Sequence, residues 1–297
     1  MVPRAGRRRR LSGGRGGRLS GAALGTAHAE RFTFAVIGHN EAATLAGVLE
    51  QAFAAARPGD AVWFVDSRST DDSRAIAAQL GAEVVPAELG KGRAVAAALA
   101  RCRDGRLCLL DADVQRCQAN LAAALRDAAV ATGADMVVGE VDAGRKRRSV
   151  TPALYRPLAA ALFPEAPALE RPLSGFRVLR AGLDVGRVPA GYGVEAHLNV
   201  HLAATGATIA PHELGFHRGP LRGYANVAAL AEGVVEALLD AAVAHGRLDA
   251  GARPAWEAWA DEVLEVVRTQ PGEHDDDSDY LRRLRRAAAR PLPPARA

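Results

Sequence analysis

From residue 32 onward the chain alternates short, uniformly apolar runs with longer stretches of helical spacing. The runs at 32–38 (FTFAVIG), 61–66 (AVWFVD), 82–86 (AEVVP), 106–113 (RLCLLDAD) and 134–141 (ADMVVGEV) read as strands. Between them, 40–56, 69–81, 91–102 and 120–133 carry Ala- and Leu-rich patterns that read as helices. Asn40 is expected to cap the first helix, Ser69, Thr70 and two acids to open the second, and Gly81 to close it. Strand–helix alternation with short links implies right-handed crossovers and a mostly parallel sheet. The strands are apolar on both alternating sets of positions, as expected when helices cover both faces.

The rhythm changes after residue 141. A basic stretch at 143–149 (AGRKRRS) precedes a helical pattern at 151–163, the segment RPLSGFRVLR at 171–180, and a helix within 191–206. A long helix over 224–246 and another over 254–268 follow, and the highly charged end from 272 to 297 is expected to fray. No internal repeat is visible. The expected fold is α/β: a mostly parallel, Rossmann-like sheet flanked by helices, with a helical C-terminal part. The expected organisation is a disordered tail at 1–30, a nucleotide-binding half at 31–141, an acceptor half at 142–250, and C-terminal helices with a charged tail at 251–297. Those last helices could pack on the core or form a homodimer contact.

Composition narrows the classes. Of 297 residues, 49% are hydrophobic and 24% charged, which excludes wholesale disorder, collagen and coiled coil. No apolar run reaches the roughly 18 residues of a membrane span, so stable membrane insertion is not expected. Residues 1–30 hold seven Arg and a single acid, Glu30, and so carry more than the whole formal net charge of +4. The remainder is mildly acidic and carries no nucleic-acid footprint. The Gly-broken start lacks the apolar core of a signal peptide. Cys102, Cys108 and Cys117 form no CxxC and fit a reducing, cytoplasmic setting as packing residues.

In open parallel sheets, ligands bind at the carboxyl ends of the strands. At those ends lie Gly38-His39-Asn40-Glu41, Asp66-Ser67, Gly90-Lys91-Gly92 and Asp111-Ala112-Asp113. Acceptors for a ribose and base, a cation for a diphosphate, and a carboxylate pair for a hard divalent metal thus converge on one edge. In an extended segment, Asp111 and Asp113 would project to the same side. Lys91 lacks the GxxxxGK[ST] context of a P-loop and would act as a point charge between glycines.

The order Asn40-Glu41, then Asp66-Ser67-Arg68-Ser69-Thr70-Asp71-Asp72-Ser73, then Gly90-Lys91-Gly92, then Asp111-x-Asp113 resembles GT-A-fold, family 2-type glycosyltransferases. RPLSG (171–175), GYGVE (191–195) and His217-Arg218-Gly219-Pro220-Leu221 narrow the resemblance to glucosyl-3-phosphoglycerate synthases and mannosylglycerate-type enzymes. The similarity spans about residues 32–245. It implies a retaining transfer of a hexose, glucose foremost, from a nucleotide diphosphate sugar such as UDP-glucose to a glycerate-type acceptor, with Mg2+ or Mn2+ as cofactor.

By position, the resemblance places Gly38, His39, Glu41, Asp66 and Ser67 at the nucleoside, Lys91 at the diphosphate and Asp111 on the ribose side. Asp113 and His217 become metal ligands, and Leu173, through its backbone, and Glu195 flank the transferred sugar. The acceptor set is Arg148, Ser149, Thr151, Arg171, Tyr192 and Arg218. Departures fall on that acceptor side. The family's G-G-R-V-T segment reads Arg147-Arg148-Ser149-Val150-Thr151, Gly219 replaces a polar residue, and His197 replaces a small one. Four consecutive basic residues, 145–148, still favour a small anionic, phosphorylated or carboxylated acceptor, which is expected to differ from 3-phosphoglycerate. Other readings are a catalytically inert sugar-nucleotide binder, another nucleotide-using transferase of the same fold, and a lipid-sugar transferase.

Overall fold

The computed structural model describes residues 30–117, 119–142, 150–218, 224–269 and 278–296, with 217, 218, 224 and 225 as backbone only. In chain order the first half comprises β1 (Phe32–Gly38), α1 (Leu45–Ala55), β2 (Ala61–Asp66), α2 (Ser73–Gln79), β3 (Glu83–Pro86), α3 (Lys91–Arg101), β4 (Arg106–Asp111), β5 (Arg116–Cys117), α4 (Leu121–Thr132) and β6 (Met136–Asp142). A π-helical turn, Thr151–Tyr155, runs into α5 (Arg156–Leu162). Then come β7 (Arg177–Arg180), α6 (Val194–Ala204), β8 (Ile209–Arg218), α7 (Tyr224–Ala244), α8 (Arg253–Arg268) and α9 (Ser278–Ala288).

The strands form a mixed, mostly parallel sheet in the order β3-β2-β1-β4-β7-β6-β8-β5. β3, β2, β1 and β4 run parallel, β7 is antiparallel to both β4 and β6, and β8 is parallel to β6. Both faces are buried. Along β1, Phe34 and Val36 pack with Leu45 and Leu49 of α1 and Leu125 of α4. Ala35 and Ile37 face the other way, against Val95 of α3 and Leu198 of α6. A third cluster joins α5, α7, α8 and α9 around Trp256, Trp259, Leu238 and Phe163.

Several local expectations give way to tertiary contacts. Asn40 does not cap α1, which starts at Leu45. Its backbone is left-handed (φ 55°), a conformation Asn tolerates, and its Oδ1 accepts from the Thr70 N–H (2.7 Å). α2 likewise starts at Ser73 rather than 69, because Asp71 accepts from the N–H groups of Ala42 and Ser73 (3.0 Å each) and so ties the two loops together. The charged end does not fray over 278–288: α9 buries Tyr280 and Leu284, four residues apart on one face. Beyond it, Trp256 Nε1–H donates to the Pro294 carbonyl (3.1 Å).

One buried ion pair holds the base of the sheet. Asp60 accepts from the N–H groups of Phe32 (2.8 Å) and Arg57 (2.7 Å) and pairs with Arg126, whose guanidinium lies 4.5 Å from the Phe32 ring centroid. Burial alone would raise the Asp60 carboxyl, but these hydrogen bonds hold it below the ordinary carboxylate value. A depressed folded pKa contributes stability that is present above the unfolded value of about 3.9 and lost as pH falls through the folded one. Asp60→Asn leaves Arg126 buried without its counter-charge, with an expected cost of about 3–5 kcal/mol at pH 7. It should also flatten the acid-side slope of stability. Urea unfolding of both proteins at pH 7 and pH 4 checks both effects.

Candidate active site

The register of the sheet builds the site. Gly38 of β1 pairs with Asp66 of β2, and Ile37 pairs with Asp111 of β4, so three strands end on one line. Beyond that line the loops interlock. Ser67 N–H donates to the Gly38 carbonyl (2.9 Å), and Ala112 N–H to the Ile37 carbonyl (3.0 Å). Ser67 Oγ donates to the Glu88 carbonyl (3.1 Å) and accepts from Gly90 N–H (2.9 Å), which fixes the approach to α3. His39 donates through Nδ1 to the Ser67 carbonyl (2.8 Å), since a carbonyl can only accept.

The line opens into a cavity of about 470 Å3, within the range of small-molecule sites. Gly38, His39, Glu41 and Ser67 line it, together with Lys91, Asp111 and Asp113. Leu173, Tyr192 and Glu195, from the second half of the chain, complete the lining. Lys91, the first residue of α3, bridges two carboxylates: its Nζ lies 2.7 Å from Glu195 Oε1 and 3.0 Å from Asp111 Oδ1. Burial alone would lower the ammonium pKa, but Asp111 and Glu195 together drive it far above the ordinary lysine value. Lys91 therefore stays charged, and its stabilising share persists at every pH below the unfolded lysine value of about 10.4.

Two glycines permit this approach. A Cβ on Gly175 would stand 2.3–2.6 Å from the Asp111 carboxylate, so only glycine brings the 171–175 loop against that side chain. A Cβ on Gly92 would stand 1.8 Å from the Pro189 carbonyl oxygen. Its absence lets the N–H groups of Gly92 and Arg93 donate to the carbonyls of Gly191 and Ala190 (3.2 Å each), which docks the 189–193 loop on the start of α3. Glu195 then enters the cleft from the first turn of α6.

The structure does not gather all the expected residues in the cavity. The strand ends at Asp111, so Asp113 reaches the cavity from the following turn and not by extended alternation. Asp66 is buried and turned into its own loop, accepting from Ser69 N–H (2.9 Å), with Arg74 at 3.6 Å. Thr151 opens the π-helical turn and Arg171 pairs with Asp142 (3.2 Å); neither is among the cavity-lining residues. Arg148 and Ser149 lie outside the described residues, as do the side chains of His217 and Arg218. At the backbone level, His217 pairs with Cys117 across β5 and β8, which places position 217 beside the strand that follows Asp113. Leu89, Asn226, Val227 and Leu230 also line the cavity. Val227 and Leu230 carried no sequence signal, because their helical spacing in α7 is that of core positions, and a lone exposed Asn226 on a helix reads as solvated surface.

Residues 33–179 match the family model of glycosyl transferase family 2. This stretch is a family 2 glycosyl transferase domain. It contains the loops after β1, β2, β3 and β4, while Glu195 and α7 lie beyond it. No curated protein matches the chain in sequence. Among solved structures, the chain is similar to glucosyl-3-phosphoglycerate synthase from Mycobacterium tuberculosis in complex with Mg2+ and uridine diphosphate. That match has 27% identity and a TM-score of 0.64, over 75% of this chain and 82% of that one. The same synthase in complex with Mn2+, UDP-glucose and phosphoglyceric acid matches at 26% identity and a TM-score of 0.63, over the same shares. The fold is GT-A, as the motif order implied. Among the described residues no helix is long and apolar enough to cross a membrane.

A divalent cation suits this donor set. Asp113 offers a hard oxygen ligand at the cavity, next to an Asp111 carboxylate that Lys91 already holds. Among the described residues no group of three His, Cys, Asp or Glu could hold a metal. One or two protein ligands completed by substrate phosphates is the usual arrangement for Mg2+.

Proposed function

We propose that this protein is a metal-dependent, retaining hexosyltransferase. It moves glucose from UDP-glucose to a small anionic acceptor that differs from 3-phosphoglycerate. The observation that carries the reading is the Lys91 bridge between Asp111 and Glu195, at the mouth of three aligned strands and in one cavity with Asp113. The likeness to a synthase that binds UDP-glucose and phosphoglyceric acid supports the donor and the acceptor class.

In this reading His39, Glu41 and Ser67 hold the nucleoside, while Asp113 and His217 would ligate Mg2+ or Mn2+. When bound, the metal neutralises charge on the leaving diphosphate. Lys91 adds a fixed positive charge on the same group, in a site where it need not reorganise. Glu195 and the Leu173 backbone flank the sugar. A carboxylate held 2.7 Å from an ammonium is a poor nucleophile, so Glu195 orients the sugar and does not attack it. The acceptor oxygen attacks C1 from the face that the diphosphate leaves, and its proton passes to the leaving phosphate. Tyr192, Arg171, Thr151, Ser149, Arg218 and the basic 145–148 segment, which includes Arg148, would hold the acceptor's anionic group. The nucleotide half at 31–141 and the acceptor half at 142–250 divide this work, in the cytoplasm.

Incubating the protein with UDP-glucose and Mn2+ across a panel of phosphorylated and carboxylated acceptors tests this. Glucosylation of an acceptor other than 3-phosphoglycerate, with the anomeric configuration retained, is expected. Turnover of 3-phosphoglycerate as the best acceptor would overturn the proposed acceptor change.

A further inference from the structure

Arg177 is fully buried at the start of β7 and has no part in the chemistry above. All of its nitrogens are engaged, yet none of the four partners carries a full charge. Nε donates to the Ser174 carbonyl (2.9 Å) and Nη2 to the Pro172 carbonyl (2.6 Å). Nη1 donates to Asn199 Oδ1 (2.7 Å) and contacts Met136 Sδ (3.5 Å). Asn199, itself fully buried on α6, donates to the same Pro172 carbonyl (2.8 Å) and to the Tyr155 hydroxyl (3.1 Å). The planar guanidinium thus clamps the carbonyls on either side of Leu173, a two-point hold that a single ammonium cannot reproduce.

The clamp also reaches the ion cluster. Arg177 lines a small void together with Lys91, Asp111, Glu195 and Gly175. Lys91 and Arg177 then balance Asp111 and Glu195. The clamped loop ends in Gly175, which packs directly on the Asp111 carboxylate.

We infer that Arg177, oriented by Asn199, is a positioning residue for the transferred sugar: it fixes the 171–175 loop so that the Leu173 backbone meets the hexose while Asp111 keeps its place. This inference rests on reading the cleft as a nucleotide-sugar site. It predicts a split between nucleotide and sugar, because the clamp holds the loop beside the hexose and not the loops that hold the nucleoside.

Calorimetric titration of UDP and of UDP-glucose, each with Mn2+, tests it on the wild type, Arg177→Gln, Arg177→Lys and Asn199→Leu. Circular dichroism confirms that each variant is folded. Arg177→Gln is expected to bind UDP within about twofold of the wild type and UDP-glucose about tenfold more weakly, the scale of one lost hydrogen bond to a charged group. Arg177→Lys keeps the charge but not the fork, and should recover only part of that loss. Asn199→Leu should shift the ratio in the same direction by less. An unchanged ratio of the two affinities in folded variants, or an equal loss of both ligands, overturns the inference. If Arg177→Gln does not fold, the ratios for Arg177→Lys and Asn199→Leu decide. A wild type that binds neither ligand overturns the functional reading itself; a wild type that binds both, with variants keeping its ratio, overturns this inference alone.

Discussion

Lys91→Met is expected to remove nearly all transfer activity and to destabilise the fold. Methionine matches the length of the lysine stem but leaves Asp111 and Glu195 facing one cleft without the cation between them. Glu195 has only 4% of its side chain exposed, so water replaces the ammonium poorly. Breaking a buried ion cluster by removing one partner typically costs about 3–5 kcal/mol. Loss of a preorganised charge at the leaving group costs a further factor of about 10^2–10^3 in kcat. The two effects separate in the double variant Lys91→Met/Glu195→Leu, where an apolar replacement relieves the unpaired carboxylate. That protein should regain most of the lost stability and none of the activity. Urea unfolding and the rate of UDP release from UDP-glucose report the two quantities independently.

Asp113→Asn should do the reverse: leave the fold intact and abolish the metal dependence. The side chain keeps its shape and sits in a turn beyond β4, partly exposed, so its neutralisation should move the melting temperature far less than Lys91→Met does. An amide oxygen is a much weaker ligand for a hard cation than a carboxylate. Metal stabilisation of the departing diphosphate is worth several kcal/mol, so kcat/KM should fall about a thousandfold. Raising the Mn2+ concentration should recover little of it. An activity curve against Mn2+ for both proteins, with thermal melts alongside, checks the expectation.

The nucleotide side of the site was legible in the sequence because topology dictates it. β1, β2 and β4 are buried on both faces, so they read as unbroken apolar runs, and whatever follows such a run in a parallel sheet must face the ligand edge. Gly38, Asp111 and Asp113 were found that way, and Lys91 from the Gly-Lys-Gly loop after the edge strand β3. Glu195 came from the GYGVE resemblance.

The middle of the sheet was not legible. β7 reads RVLR, two arginines around two apolar residues, and nothing in that pattern says that Arg177 is buried on carbonyl groups while Arg180 is exposed. β8 contains Pro211, His212 and Glu213, and the register shift between Glu140 and Val141 of its partner β6 breaks any simple alternation. Asn40 has the composition of a helix cap, but loop-to-loop hydrogen bonds outweigh the local preference. In α9 the arginines masked a face of two buried side chains, Tyr280 and Leu284.

The central claim is that this cleft holds a nucleotide sugar through a divalent metal. Titrating the wild-type protein with UDP-glucose in a calorimeter, with Mn2+ and then with a chelator, tests it most directly. The account predicts saturable binding with Mn2+ that disappears with the chelator and in Asp113→Asn. Folded protein that takes up no UDP-glucose with Mn2+, or that binds it equally well without metal, would contradict it.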